Sequence, residues 1–218
     1  MTLQLIQLNK ATTASFDVDA QYAFTSECPD ELPVPGGVEI VSELNAQAQY
    51  AAYRIGSKDA HSSRAIWIAT KDFPILSSIE GDNIDVRWPQ HAVPGTKGFE
   101  LIAGLPAVTD YDYFVWKGVE VDMHPYGGCF HDLRERISTG VLEFLQHKKV
   151  TTIIVGGLAT DICVKATVLQ LLHADFKVIV NLGACRGVTV ERTQQAIIEM
   201  RAQGAIFIDS AAQLEINV

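Results

Sequence analysis

The chain has 218 residues, 48% of them hydrophobic and 20% charged, enough to bury a full core as one α/β domain. Its 26 acidic against 17 basic residues give a formal net charge of -9, which argues against nucleic acid and anionic membranes as partners and for a small-molecule substrate. No apolar run approaches the roughly 20 residues that cross a bilayer, and the opening MTLQLIQLNK lacks the basic start and apolar core of a secretion signal, so a cytoplasmic location is expected.

Strand-like and helix-like stretches alternate along the chain, the order of βαβ units. Strands are predicted at 13–18, 52–56, 113–116, 151–155, 177–181 and 205–208, and helices at 37–48, 132–147, 161–173 and 190–203. The fold class expected is α/β: three layers, helices on both faces of a mainly parallel sheet of about six strands, in a single domain spanning 1–218. The stretch 60–110 breaks the rhythm and is expected to form a lid or insertion over the site, with AIWIATKDF adding an extra strand or short helix. Open parallel sheets bind ligands at the carboxyl ends of their strands, so chemistry belongs at those ends.

The first predicted strand runs into FDVDAQYAF, where Asp17 and Asp19 compete for the strand end. Period-two alternation puts both on one side and does not separate them. Either serves as a loop cap, or as a general base if a nucleophile stands nearby. The second runs into SKDAHSS, where Asp59 and His61, two apart in extended chain, point the same way and can converge on a metal, with His91 of WPQHAVPGT as a third ligand. Lys71 and Asp72 repeat the strand-then-Lys-Asp pattern, but Pro74 sits where a second ligand is needed. The third, YFVWKG, delivers Lys117; a lysine is ordinarily a solvated surface residue, but at a central strand end it can stabilise a thiolate or hold a carboxylate.

The segment TTIIVGGLATDICVKATVLQLL carries a β-branched run, a Gly156-Gly157 pair expected to end the strand, and helical spacing from Asp161 onward. Cys163 is placed in the first helical turn. There the helix dipole and free N–H groups are expected to lower its pKa and to receive an oxyanion. The competing reading is a buried structural thiol. The other cysteines, Cys28, Cys129 and Cys185, lack the short paired spacing of a zinc knuckle or CxxC motif and read as reduced structural thiols. His124, His131, His147 and His173 read as surface or helix-face residues without a role.

In order along the chain, DVDAQYAF, LPVPGG, SKDAH, WPQHAVPGTKGFEL, VWKG, VGGLATDICVKATVL and ACRGV resemble the isochorismatase-like cysteine hydrolases over nearly the whole length. LPVPGG and GLATDICVKAT are the distinctive pieces. Within that family the resemblance is nearest to the branch that hydrolyses nicotinamide to nicotinate and ammonia. It implies an isochorismatase-like fold, a catalytic set of Asp19, Lys117 and Cys163, and metal ligands Asp59, His61 and His91. It also implies a divalent metal ion as cofactor, zinc first and iron or manganese next, oriented toward a pyridine nitrogen. Phe24, Trp88 and Tyr126 match residues that line the ring pocket, and Asp17 becomes structural.

The resemblance further implies an oxyanion hole from the N–H groups of Ala159 and Cys163, set by a cis peptide between Leu158 and Ala159, and a homo-oligomeric assembly. The implied chemistry passes through a thioester on Cys163, splitting one difficult hydrolysis into two easier steps. Two departures stand out: Ala23 replaces an acidic residue common in such enzymes, and Trp67 falls roughly where some members carry a further histidine. Water or a lid carboxylate such as Glu80 or Asp82 is therefore expected to complete the metal's coordination. The alternative activity on the same fold is a metal-independent amidohydrolase of N-carbamoyl or ureido compounds, from which retention of Asp59, His61 and His91 is the distinguishing feature. A catalytically silent binding member is disfavoured by the intact Asp19, Lys117 and Cys163.

Overall fold

The computed structural model describes residues 5–217. Its strands are β1 (Ile6–Leu8), β2 (Thr13–Val18), β3 (Tyr53–Asp59), β4 (Tyr113–Lys117), β5 (Thr152–Leu158), β6 (Lys177–Arg186), β7 (Ile206–Ile208) and β8 (Leu214–Ile216). The helices are α1 (Val41–Ala48), α2 (Val141–His147), α3 (Lys165–His173) and α4 (Val190–Ala202). Six strands form a sheet in the order β4-β3-β2-β5-β6-β7, every neighbouring pair parallel. β1 and β8 pair in a separate two-stranded parallel ribbon that the sequence reading does not include.

The sheet is buried on both faces, as the β-branched runs require. Ile153 and Val155 of β5 pack with Val141 and Leu145 of α2, Val168 and Leu171 of α3 and Met200 of α4. Ile154, on the other face, joins Leu8, Ile179 and Leu214. Leu44 of α1 meets Leu158 and Ala184 in a third cluster. Helices thus cover both sides, giving three layers.

The strands run further at their carboxyl ends than local pattern suggests. β3 reaches Asp59 and β4 reaches Lys117, pairing those two residues in register. β5 continues through Gly156 and Gly157, where the sequence reading ends it. Both glycines are there for close approach. A Cβ on Gly156 would stand 2.6 Å from Ala184 Cβ and 2.8 Å from Leu44 Cδ2, and one on Gly157, which has φ 139°, would strike the Val18 carbonyl oxygen. The ladder to β6 shifts register between Val155 and Gly157.

The helix expected at 132–147 shrinks to α2. Asp132 Oδ1 accepts the N–H groups of Arg136 and Ile137, both at 2.8 Å, which ties that stretch into a loop instead of a helix. The region expected at 37–48 starts as a 3₁₀ turn over Gly37–Ile40 and becomes α1 at Val41.

From 60 to 110 the chain forms no strand or helix before a 3₁₀ turn at Val108–Asp110, and the expected extra strand in AIWIATKDF amounts to a single bridge between Ile68 and Trp88. A small core of Ala65, Trp67, Ile84 and Trp88 holds this excursion together. Among the described residues, no helix is long and apolar enough to cross a membrane.

Candidate active site

Four adjacent strands deliver side chains to one place. Asp19 follows β2, Asp59 ends β3, Lys117 ends β4, and Cys163 lies in the turn after β5. Lys117 Nζ is fully buried, 2.9 Å from Asp19 Oδ2, in contact with Asp59 Oδ1, and 3.8 Å from Cys163 Sγ. Burial alone would depress this ammonium, but Asp19, Asp59 and Cys163 around it outweigh that and hold its pKa well above an ordinary lysine. It is a permanent cation.

Asp17 and Asp19 are separated by a feature that alternation does not show. Asp19 has φ 44°, a left-handed turn just past the strand, and its carboxylate accepts a 2.7 Å hydrogen bond from Ser57 Oγ beside Lys117. Asp17 stays within β2, 2.6 Å from Arg54 Nη2 and 2.9 Å from the Tyr111 hydroxyl that donates to it. Gln21, a spacing marker in the sequence, clamps β3 from both sides: its Nε2 donates to the Asp59 carbonyl at 2.9 Å and its Oε1 accepts the Asp59 N–H at 2.8 Å.

Cys163 sits in a π-helical turn, Thr160–Val164, ahead of α3 rather than in the first turn of an α-helix. A cis peptide joins Leu158 to Ala159 at the entrance to that turn, where the resemblance places it. The expected low pKa is not what the site produces. Burial pushes the thiol well up, Lys117 opposes this, and the carboxylates of Asp19 and Asp59 add to it. Desolvation outweighs the helix terminus because the side chain is almost wholly buried. Burial also raises Asp19, against the pull of Lys117.

Next to Asp59 lies a cluster of imidazoles. His61 Nε2 and His91 Nε2 stand 3.6 Å and 3.8 Å from Asp59 Oδ2. Their Nδ1 atoms are tied back to the Gly118 carbonyl at 3.0 Å and the Pro89 carbonyl at 2.7 Å, the arrangement that leaves Nε2 free for a metal. The third member is His124, which the sequence reading leaves on the surface. It is buried, its ring stacks on His61 at 4.8 Å and 15°, and ligand atoms of His61, His91 and His124 lie within 4.8 Å of one another.

Among the described residues, His61 Nε2 and both nitrogens of His124 have no hydrogen-bond partner. Burial, first of all, depresses the pKa of His91 and drives that of His124 well down, so both are neutral, the form that ligates. Orphaned imidazole nitrogens around a carboxylate fit a divalent ion. The expected auxiliary carboxylates do not help: Glu80 is exposed and Asp82 pairs with Arg134 at 2.8 Å. Trp67 stands edge-on to His61, its Nε1 donating to the Met123 carbonyl at 3.0 Å. That bond anchors the loop that brings in His124.

Phe24, Trp88 and Tyr126 all line a cavity of about 190 Å³ that also touches His91, His124 and Cys163. Trp88 Nε1 donates to the Tyr126 hydroxyl at 3.2 Å, which donates to Asp85 Oδ1 at 2.7 Å. Phe24 packs edge-on to His91 at 5.9 Å. Lys71 and Asp72, by contrast, remain exposed.

A model of the isochorismatase domain matches residues 18–212. The chain belongs to the isochorismatase family. Within this family it is 27% identical over 216 residues to a nicotinamidase of Acinetobacter baylyi, covering 96% of this chain and 97% of that one. It is 36% identical over 120 residues to a nicotinamidase of Escherichia coli, covering 54% of this chain and 55% of that one. Among solved structures, the pyrazinamidase of Pyrococcus horikoshii in complex with zinc superimposes with a TM-score of 0.72 at 25% identity, covering 90% of this chain and 98% of that one. The six-stranded parallel sheet with flanking helices is the isochorismatase-like architecture.

For this family member, His124 is the residue the sequence does not announce. Its context, DMHPYGG, has no periodicity and no partner at ligand spacing, so no local signal nominates it. The remaining cysteines are inert by environment. Burial pushes Cys185 up to about 12 and also raises Cys129, which lies fully inside.

Proposed function

We propose that this protein is a nicotinamidase, hydrolysing nicotinamide to nicotinate and ammonia through a thioester on Cys163, an activity that serves NAD salvage. One observation carries the reading: the Lys117 ammonium stands between Asp19 and the Cys163 thiol, beside neutral imidazoles and an aromatic-walled cavity. The similarity to proteins named nicotinamidase supports the choice of substrate. We read the chain as one hydrolase domain, with 60–110 as the lid that contributes Trp88 and His91.

The Asp19 carboxylate takes the thiol proton while Lys117, 3.8 Å from the sulfur, stabilises the thiolate. Burial raises both the thiol and the Asp19 carboxyl, and Lys117 opposes the rise in each by favouring the anion. The thiolate attacks the amide carbon and the C=O electron pair moves onto oxygen, met by the N–H groups of Ala159 and Cys163. Asp19 returns the proton to nitrogen, the C–N bond breaks, and ammonia leaves a thioester. Asp19 then accepts a proton from water as its oxygen adds to the thioester carbonyl, the C–S bond breaks, Asp19 returns that proton to the Cys163 sulfur, and the acid leaves as nicotinate with its own proton lost to solvent.

Asp59, His61, His91 and His124 are suited to hold a divalent ion. We favour zinc because the similar pyrazinamidase is in complex with zinc. Bound there, the ion supplies an open Lewis-acid position for the pyridine nitrogen lone pair. Phe24, Trp88 and Tyr126 provide flat walls for the ring, and their apolar faces exclude water from the thioester.

The test is ammonia release from nicotinamide by the wild type, by Cys163→Ala and by the chelated wild type. Loss in both altered samples is expected. A metal-loaded wild type that releases no ammonia from nicotinamide, yet cleaves N-carbamoyl or ureido amides, overturns the substrate assignment.

A further inference from the structure

Glu31 takes no step in the proposed mechanism, yet it lines the same cavity as Trp88 and His91, and its carboxylate reaches the imidazole cluster through the backbone of Ala92. Its Oε2 accepts the Ala92 N–H at 2.8 Å. Ala92 directly follows His91 and has φ 49°, a conformation that a side-chain-bearing residue adopts only when its surroundings hold it there. The carbonyl of the same Ala92 accepts the His61 N–H at 3.2 Å. Ala92, through the peptides on its two sides, therefore joins the backbones of both histidines, and Glu31 holds the one that follows His91.

The opposite wall of the contact is Gly98. A Cβ there would strike both carboxylate oxygens of Glu31. The Gly98 carbonyl in turn accepts the Ala23 N–H, and Ala23 accepts the Leu32 N–H at its own carbonyl, so Glu31 is seated by backbone on both sides. We infer that Glu31 is a positioning residue for the metal centre: through Ala92 it sets the spacing of His61 and His91, and hence the affinity for a divalent ion. This rests on the metal site of the proposed function and adds to it a residue whose carboxylate acts on the ligands through the Ala92 backbone.

Zinc affinity, read by competition with a chromophoric chelator after stripping, tests it on the full-length wild type, Glu31→Ala, Glu31→Gln and Gly98→Ala, with far-ultraviolet circular dichroism of each to check folding. Outer partners of metal ligands typically govern about 10–100-fold in affinity. Glu31→Ala and Gly98→Ala are expected to weaken zinc binding by about that factor. Glu31→Gln, which keeps an acceptor oxygen, is expected to stay within a few-fold of wild type. Should Glu31→Ala not fold, Gly98→Ala carries the test, because only the flexible end of Glu31 must move to admit the new methyl.

Wild-type affinity in a folded Glu31→Ala or in Gly98→Ala overturns the inference, as does Glu31→Gln as weak as Glu31→Ala. A wild type that binds no zinc overturns the metal centre itself, a separate result from wild-type binding that the variants leave unchanged.

Discussion

Lys117 exists as a buried cation only because two carboxylates and a thiol surround it. Replacing it with methionine strands the buried Asp19 and Asp59 without their cation, and breaking a buried pair from one side costs about 3–5 kcal/mol. Urea unfolding of Lys117→Met at pH 7 should show a loss of that order, with ammonia release abolished. Cys163→Ala should lower turnover by about a thousandfold or more, the scale on which a covalent nucleophile acts, while nicotinate still binds by titration calorimetry, because Phe24, Trp88 and Tyr126 are untouched. His124→Ala should reduce zinc retained after dialysis. Unchanged zinc content would remove His124 from the centre. Asp19, Lys117 and Cys163 were nominated by strand-end position and motif, and they converge. His124 was not, because what makes it notable is two orphaned buried nitrogens, and burial of a loop histidine is not a property of its neighbours in the chain.

At the level of elements, β5 carries the most consequence. Its β-branched run is legible from composition, but its last residues are not, since a glycine pair looks like a strand terminator until the Val18 carbonyl and Leu44 are seen against it. Gly157→Ala meets both the Val18 carbonyl and a φ of 139°, so a loss of at least about 2 kcal/mol is expected from overpacking and backbone strain. Chemical denaturation measures it, and a wild-type midpoint would mean that β2 and β5 can part without cost. Because Val18 directly precedes Asp19, turnover should fall as well. The long helix expected at 132–147 failed for a local reason that only side-chain geometry exposes: Asp132 satisfies two backbone N–H groups that a helix would have used otherwise.

Across the whole molecule, the parallel sheet gathers four strand ends and leaves one carboxylate out. Asp17, buried beside Arg54, is raised by desolvation from 3.8 to about 6, Arg54 and Tyr111 only partly offsetting this. A folded-state pKa above the unfolded one contributes stability that is full below 3.8 and lost as pH rises through about 6. Between pH 7 and pH 5 the wild type should therefore gain about 1.4 kcal/mol relative to Asp17→Asn, read from urea midpoints of both proteins at both pH values. An equal difference at the two pH values would show that Asp17 is ionised throughout.

The alternation of strands and helices, the β-branched core of the sheet, and the motif residues that mark its strand ends are legible in the chain alone, because these depend on periodicity and on neighbours a few residues apart. Where β5 stops, that His124 joins His61 and His91, and that the Cys163 thiol is raised instead of lowered emerge only in the folded chain. Each of those outcomes is set by burial and by close approach of segments far apart in the chain, and a dielectric environment is a property of the folded volume, absent from any local stretch of residues.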